Sequence, residues 1–249
     1  AREHAGTGCW PDPWTMTSMR LLIMSDTHVP ARAKDLPPLL WDAVALADVV
    51  IHAGDWVTAQ LVDELAERSA RLIGVYGNND GPDVRSRLPE VARVTLDGLR
   101  IAGVHETGGK AGRETRADHD YPETDLLIFG HSHIPWDSVS PAGMRLLNPG
   151  SPTDRRRQPA CTYLPAESDD GRLTQRRLHE LPARGSREQR AIVDGHHGRA
   201  VDQRDLRDVS ACCHREAGAD VEQVQAVERN DVADDAADGA RGREQIVVI

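Results

Sequence analysis

The 249-residue chain predicts an α/β fold of two mixed sheets packed face to face with helices outside. Three observations predict it. In the first third, short apolar runs alternate with helix-like runs, the pattern of βαβ units and a largely parallel sheet. From Val91 onward the connections shrink to Asp97-Gly98, Pro141-Ala142-Gly143 and Asp170-Gly171, which are hairpin signals. Five of the apolar runs also end in a residue able to ligate a metal.

Taken in order, residues 1–18 have no periodicity and contain Pro11 and Pro13; they read as a disordered leader, or as sequence upstream of a true start at Met16 or Met19. A first strand over Arg20–Ser25 runs into Asp26-Thr27-His28. A helix opened by proline covers Pro38–Ala47. The second strand, Val49–His52, leads into Ala53-Gly54-Asp55. A helix follows over Thr58–Ser69, with Thr58 as N-cap and Leu61, Val62 and Leu65 on its apolar face. The third strand, Leu72–Tyr76, ends in Gly77-Asn78-Asn79-Asp80. Val91–Leu96 and Leu99–Val104 form a hairpin whose second strand ends at His105.

A polar, glycine-rich stretch (Glu106–Thr124) precedes the central strand, Leu126–Phe129, which stops at Gly130 before His131 and His133. Trp136–Ser140 and Met144–Leu147 pair around the proline-containing turn, and Asn148-Pro149-Gly150-Ser151 closes it. Cys161–Ala166 and Leu173–Glu180 make the last hairpin. These elements define a domain over 19–182. Tyr163 is the last aromatic residue and Leu206 the only leucine beyond Leu181. So poor a supply of apolar side chains cannot offset ordering entropy, and 183–249 is expected to be a mostly disordered tail without a catalytic part.

A net charge of −10 argues against binding to long nucleic acid or an anionic membrane. No apolar run approaches the ~20 residues of a membrane span, and no signal-peptide layout is present. Cys9, Cys161, Cys212 and Cys213 lack a disulfide spacing, so a cytoplasmic protein with free thiols is the expectation. Cys212-Cys213-His214 has no second ligand pair at zinc-finger spacing. Exposed edge strands of two sheets suggest a homodimer.

The strand-end residues are Asp26, His28, Asp55, Asn78, His105, His131 and His133. Ligands in α/β folds gather beyond the carboxyl ends of strands. Oxygen and imidazole donors without thiolate suit Mn²⁺, Fe, Zn²⁺, Ni²⁺ or Co²⁺ rather than a structural zinc, and two divalent ions, Mn²⁺ before the others, are the expectation. Seven donors exceed one tetrahedral ion and fit two ions sharing a carboxylate. Such a pair lowers the pKa of a bridging water and clamps the oxygens of an in-line phosphoryl displacement. The plainer readings are an Asx turn at Asp26, a helix N-cap at Asp55, a left-handed turn at Asn78 and a structural His105. His52, inside a strand, reads as packed. Arg155, Arg156 and Arg157 read as a solvated run or as contacts to a substrate phosphate.

The set Asp26-x-His28, Gly54-Asp55, Gly77-Asn78-Asn79-Asp80, His105 and Gly130-His131-x-His133 resembles the calcineurin-like metallophosphoesterase superfamily. With Asn148-Pro149-Gly150-Ser151 it is similar to the small YfcE-type phosphodiesterases. The resemblance covers about Arg20 to Leu181 and implies a four-layer α/β/β/α sandwich. It implies that Asp26, His28 and His133 hold one ion, that Asn78, His105 and His131 hold the other, and that Asp55 bridges beneath a hydroxide that attacks phosphorus. The implied substrate is a small phosphodiester or phosphomonoester.

Two positions depart from the family pattern. Asn79 stands where many members carry a leaving-group acid, which implies a preference for good leaving groups or acid help from a water. Glu106-Thr107 follows His105 in place of Gly-His. Asp80 is expected to orient Asn78 or a metal-bound water. Asp55, Asn79 and Asp80 are therefore the catalytic candidates. The same fold also serves as a non-catalytic interaction scaffold in Vps29, the alternative reading.

Overall fold

The computed structural model describes residues 18–182; the leader and tail expected at 1–18 and 183–249 lie, but for Ser18, outside the described residues. The chain builds eleven strands and four helices there: β1 (Met19–Met24), α1 (Pro38–Leu46), β2 (Val49–Ala53), α2 (Ala59–Arg68), β3 (Leu72–Val75), α3 (Pro82–Arg85), β4 (Val91–Leu96), β5 (Leu99–Val104), α4 (Arg113–Asp120), β6 (Leu126–Ile128), β7 (Trp136–Val139), β8 (Arg145–Asn148), β9 (Cys161–Asp169), β10 (Arg172–Arg176) and β11 (His179–Leu181).

Alternation along each strand dictates the layers. On β1, Leu21 and Ile23 face one way and join Ile51, Ile73, Ile101, Leu126 and Ile128 in the core between the sheets. Leu22 and Met24 face the other way, against Leu40 and Val44 of α1 and Leu61 and Leu65 of α2. On the far side, Leu127, Phe129 and Leu146 pack with Ala117 of α4. Helix, sheet, sheet and helix thus stack in four layers, and the central strands β1, β2 and β6 are largely buried on both faces.

Both sheets are mixed. The first runs β10-β9-β1-β2-β3, with β11 also on β9; the second runs β4-β5-β6-β8-β7. β1, β2 and β3 are parallel, as are β5, β6 and β8. These two parallel sets carry all seven strand-end candidates at their carboxyl ends or in the loops that follow.

Four expectations need correction. The last hairpin's second strand is split into β10 and β11. β9 carries Pro165, which has no N–H for the ladder, so pairing slips between Arg176↔Ala166 and His179↔Tyr163. The stretch 106–124 contains helix α4. Only Arg113 and Ala117 of α4 are buried, too narrow a face for an apolar periodicity to reveal. A short helix, α3, follows Asp80 where none was expected. Thr58 occupies the N-cap position of α2 but makes no side-chain cap; its hydroxyl donates to the Val29 carbonyl at 3.3 Å.

Candidate metal centre

The local chain path explains why these residues converge. Five of the seven candidates have left-handed backbone: Asp26 (φ 55°), His28 (45°), Asp55 (62°), His131 (69°) and His133 (57°). Asp and His are among the few non-glycine residues that tolerate this region, at a cost of order 1 kcal/mol or more each. Sharp turns there fold each side chain back over the strand ends. Gly130 and Gly77 permit the crowding: a Cβ on Gly130 would lie 2.8 Å from Asp26 Oδ2, and one on Gly77 would collide with Asp55 Oδ1.

All seven residues come together. His133 Nε2 lies 3.3 Å from Asp26 Oδ1 and 3.1 Å from His28 Nε2. Asn78 Oδ1 lies 3.0 Å from His105 Nε2 and 2.9 Å from His131 Nδ1. Asp55 joins the two groups through one atom: its Oδ2 is 3.6 Å from His28 Nε2 and 3.3 Å from His105 Nε2. Two donor groups able to hold a cation are Asp26, His28, His133 and Asp26, Asp55, His105. Asp26 therefore borders both halves, where it was expected in one.

The supporting contacts aim the nitrogens. His133 Nδ1–H donates to the Asp154 carbonyl (2.6 Å), and His105 Nδ1–H donates to the Ala53 carbonyl (2.8 Å). Each bond leaves Nε2 pointing into the cluster. Asp26, fully buried, accepts Ser25 Oγ–H (2.8 Å) and the His131 N–H (3.1 and 3.0 Å).

Burial alone pushes the Asp55 carboxyl up, but His105 and the Asn79 donors outweigh it and hold it well below the usual carboxylate range. Burial also acts to lower the His105 pKa, yet Asp55 and Asp26 raise it, so a proton competes with a cation for Nε2. Burial lowers the His28 pKa. Two buried carboxylates, converging imidazole nitrogens and an amide oxygen form an acceptor-rich cluster that fits divalent cations.

Asn79 and Asp80 both brace the loop that carries Asp55. Asn79 donates its backbone N–H to Asp55 Oδ1 (2.8 Å) and its amide to Asp55 Oδ2 (2.6 Å); it clamps the shared carboxylate. Asp80 does not hold the Asn78 side chain. Its carboxylate accepts the backbone N–H groups of Asp55 (3.0 Å), Val57 (2.7 Å) and Gly77 (2.6 Å), tying the loops after β2 and β3 together. His52 is packed as expected: it stacks on Trp56 at 3.6 Å, accepts the Gly54 N–H (3.2 Å) and faces Thr27 Oγ1 (3.0 Å), and burial holds its pKa well down.

The supporting roles that sequence reasoning did not assign belong to Asn148, the last residue of β8, and to the loop after it. Asn148 Nδ2 donates to the Gly130 carbonyl (2.8 Å), Ser151 Oγ to the Asp26 carbonyl (2.7 Å) and Thr153 Oγ1 to the Thr27 carbonyl (2.6 Å). With Asp154 under His133, this segment latches the Asp26–His28 turn to the His131–His133 turn. Four hydrogen-bonding side chains at and closely following the end of a buried strand were the available signal.

Comparison with known proteins follows the same residues. A family model described as the calcineurin-like phosphoesterase superfamily domain matches 19–171. A probable metallophosphoesterase of Methanothermobacter thermautotrophicus is 35% identical over 54% of this chain and 78% of its own length. A phosphodiesterase of Methanocaldococcus jannaschii is 27% identical over 46% of this chain and 74% of its own length. A Thermotoga maritima protein solved by NMR superposes with a TM-score of 0.54 at 34% identity, covering 66% of this chain and 99% of that one. Vps29 of Cryptosporidium parvum gives 0.55 at 18% identity over 66% of this chain and 99% of that one, a likeness of fold alone.

Proposed function

Because the chain belongs to the calcineurin-like phosphoesterase superfamily, we propose that it is a metal-dependent phosphodiesterase acting on small phosphoesters at a centre of two divalent ions. The observation that carries this reading is the single oxygen of Asp55 lying between His28 and His105. In this reading Asp26, His28 and His133 hold one ion, Asn78, His105 and His131 hold the other, and Asp55 is shared. The mixed carboxylate, carboxamide and imidazole set accommodates Mn²⁺, Ni²⁺, Fe, Zn²⁺ or Co²⁺, of which Mn²⁺ is the ion proposed. Ions held there supply Lewis acidity, lowering the pKa of water and offsetting charge on phosphoryl oxygens.

The chain's own residues do the positioning. Asn79 fixes both oxygens of Asp55, and Asp80 fixes the backbone that carries Asp55. A carboxamide cannot donate a full proton to a leaving group, so Asn79 restricts fast turnover to esters with acidic leaving groups. A relative named as a phosphodiesterase supports the diester over the monoester. The scaffold alternative rests on fold likeness to Vps29 proteins, one of which was solved with zinc bound, so turnover rather than metal binding separates the two readings.

The test is hydrolysis of bis(p-nitrophenyl) phosphate by metal-stripped protein with Mn²⁺ restored, beside Asp55→Asn. The expected result is metal-restored turnover that the folded variant lacks. Undiminished turnover in Asp55→Asn contradicts the shared carboxylate, and no turnover with any of the five metals transfers the case to the scaffold.

A further inference from the structure

Resting on the phosphodiesterase reading, we propose that the cavity beside the donor cluster is a subsite for an anionic ester arm, so that the preferred substrate is a small phosphodiester with a second phosphate on one arm. The cavity has a volume of about 950 Å³, the upper end for small-molecule sites and room for a nucleotide-sized arm. One wall is residues 33–39, which follow His28; the other is 152–156, 159 and 160, in the loop latched beneath the donor cluster, with Cys161 at the start of β9, and Leu181 and Pro182 complete the lining. Both walls thus grow out of the cluster. The Arg32 N–H donates to the His28 carbonyl (2.8 Å), and Arg32 Nε meets Asp154 Oδ2 at 3.4 Å, joining the two walls.

The charge of the lining points to an anion. Lys34, Arg155 and Arg156 face two acids, Asp35 and Asp154. Asp154 pairs with Arg32, while Asp35 accepts the Leu36 N–H (2.6 Å) and the Trp41 indole N–H (3.1 Å) and keeps its charge, so the lining holds three cations against two acids. Among the described residues Lys34 makes no hydrogen bond or ion pair. Arg155 spends one donor on the Gln158 carbonyl (2.7 Å). Arg156 stands at the junction of cavity and cluster, with Nη1 3.3 Å from the His131 carbonyl and, among the described residues, no partner for the rest of its fork. Three available cations in a chain of net charge −10 are a local reversal of sign. Leu36, Pro37, Pro38 and Pro159 supply the apolar surface an organic arm needs.

The test compares thymidine 5′-(p-nitrophenyl phosphate) with its 3′-phosphorylated counterpart, which differ only in the second phosphate. The Mn²⁺-loaded protein should show a kcat/KM about tenfold higher for the phosphorylated ester, carried by KM, a size consistent with two or three partly exposed charge contacts. Exposed Lys34 and Arg155 are reversed together (Lys34→Glu, Arg155→Glu), leaving Arg156 at its His131 contact. That variant should bring the ratio within about twofold. Calorimetric binding of thymidine 3′,5′-bisphosphate against thymidine 5′-monophosphate should give the same preference and the same loss. Equal kcat/KM and equal affinity in the unaltered protein overturn the subsite while leaving the hydrolase reading intact. A preference that survives the double reversal also overturns it. A binding preference lost on reversal without turnover of either ester supports the subsite and overturns the hydrolase reading.

Discussion

One oxygen of Asp55 faces both histidine groups, and both oxygens are held by Asn79. The types and strand-end positions of the seven donors were legible because Asp, Asn and His directly after apolar runs stand out. The supports were not. Asp80 looked like a partner of Asn78, yet it takes three backbone N–H groups from two loops 20 residues and more apart in sequence; no local pattern encodes which amides a carboxylate will find. Asp80→Ala should leave those N–H groups without an acceptor. At roughly 1–3 kcal/mol for each buried donor stranded, the metal-stripped variant should lose at least about 3 kcal/mol in urea denaturation. Its Mn²⁺ affinity should fall about 10–100-fold, the usual scale for groups that orient ligands. Unchanged stability and affinity would contradict the tying role.

At the scale of elements, strands were easier to read than helices. The apolar runs of β1, β2, β5 and β6 are continuous because both faces are covered, while α4 buries too little to leave a period and β9 is interrupted by Pro165. Two of the four parallel pairs, β1–β2 and β5–β6, also share a device invisible in the sequence. Arg20 on β1 forks onto Asp48, just before β2 (2.8 and 3.1 Å), and Arg100 on β5 forks onto Asp125, just before β6 (2.7 and 2.9 Å). In each case the Arg backbone N–H donates to the same Asp, setting where the parallel register begins. The Arg20 hydrogen bond lowers the Asp48 pKa. A depressed carboxyl adds stability above its unfolded value of about 3.9 and loses it as pH falls through the folded value. Asp48→Asn should therefore cost less than about 1 kcal/mol near neutrality, since the pair is half exposed. The difference from the unaltered protein should fade below about pH 3.9 and shrink in high salt. A cost independent of pH would contradict the ionic origin.

For the whole molecule, the sequence carried the four layers and the strand ends but not the partner choice of β9, which lies antiparallel to β1 and carries β10 and β11. Pairing between residues nearly 150 positions apart is decided by shape, not by local pattern. All seven donors and their supports lie between Ser25 and Asp154, at or beyond the carboxyl ends of the two sheets' strands. Ending the chain after Pro182 should leave metal-dependent turnover intact; a large loss would show that the residues beyond contribute to the site. Among the described residues no helix is long and apolar enough to cross a membrane. The claim that the two sheets jointly build a two-ion centre is tested most directly by calorimetric titration of Mn²⁺ into the metal-stripped full-length protein. Two ions bound per chain in the unaltered protein, with both affinities weakened in Asp55→Asn, is the predicted result. A single ion bound, or two bound with no effect of Asp55→Asn, would contradict it.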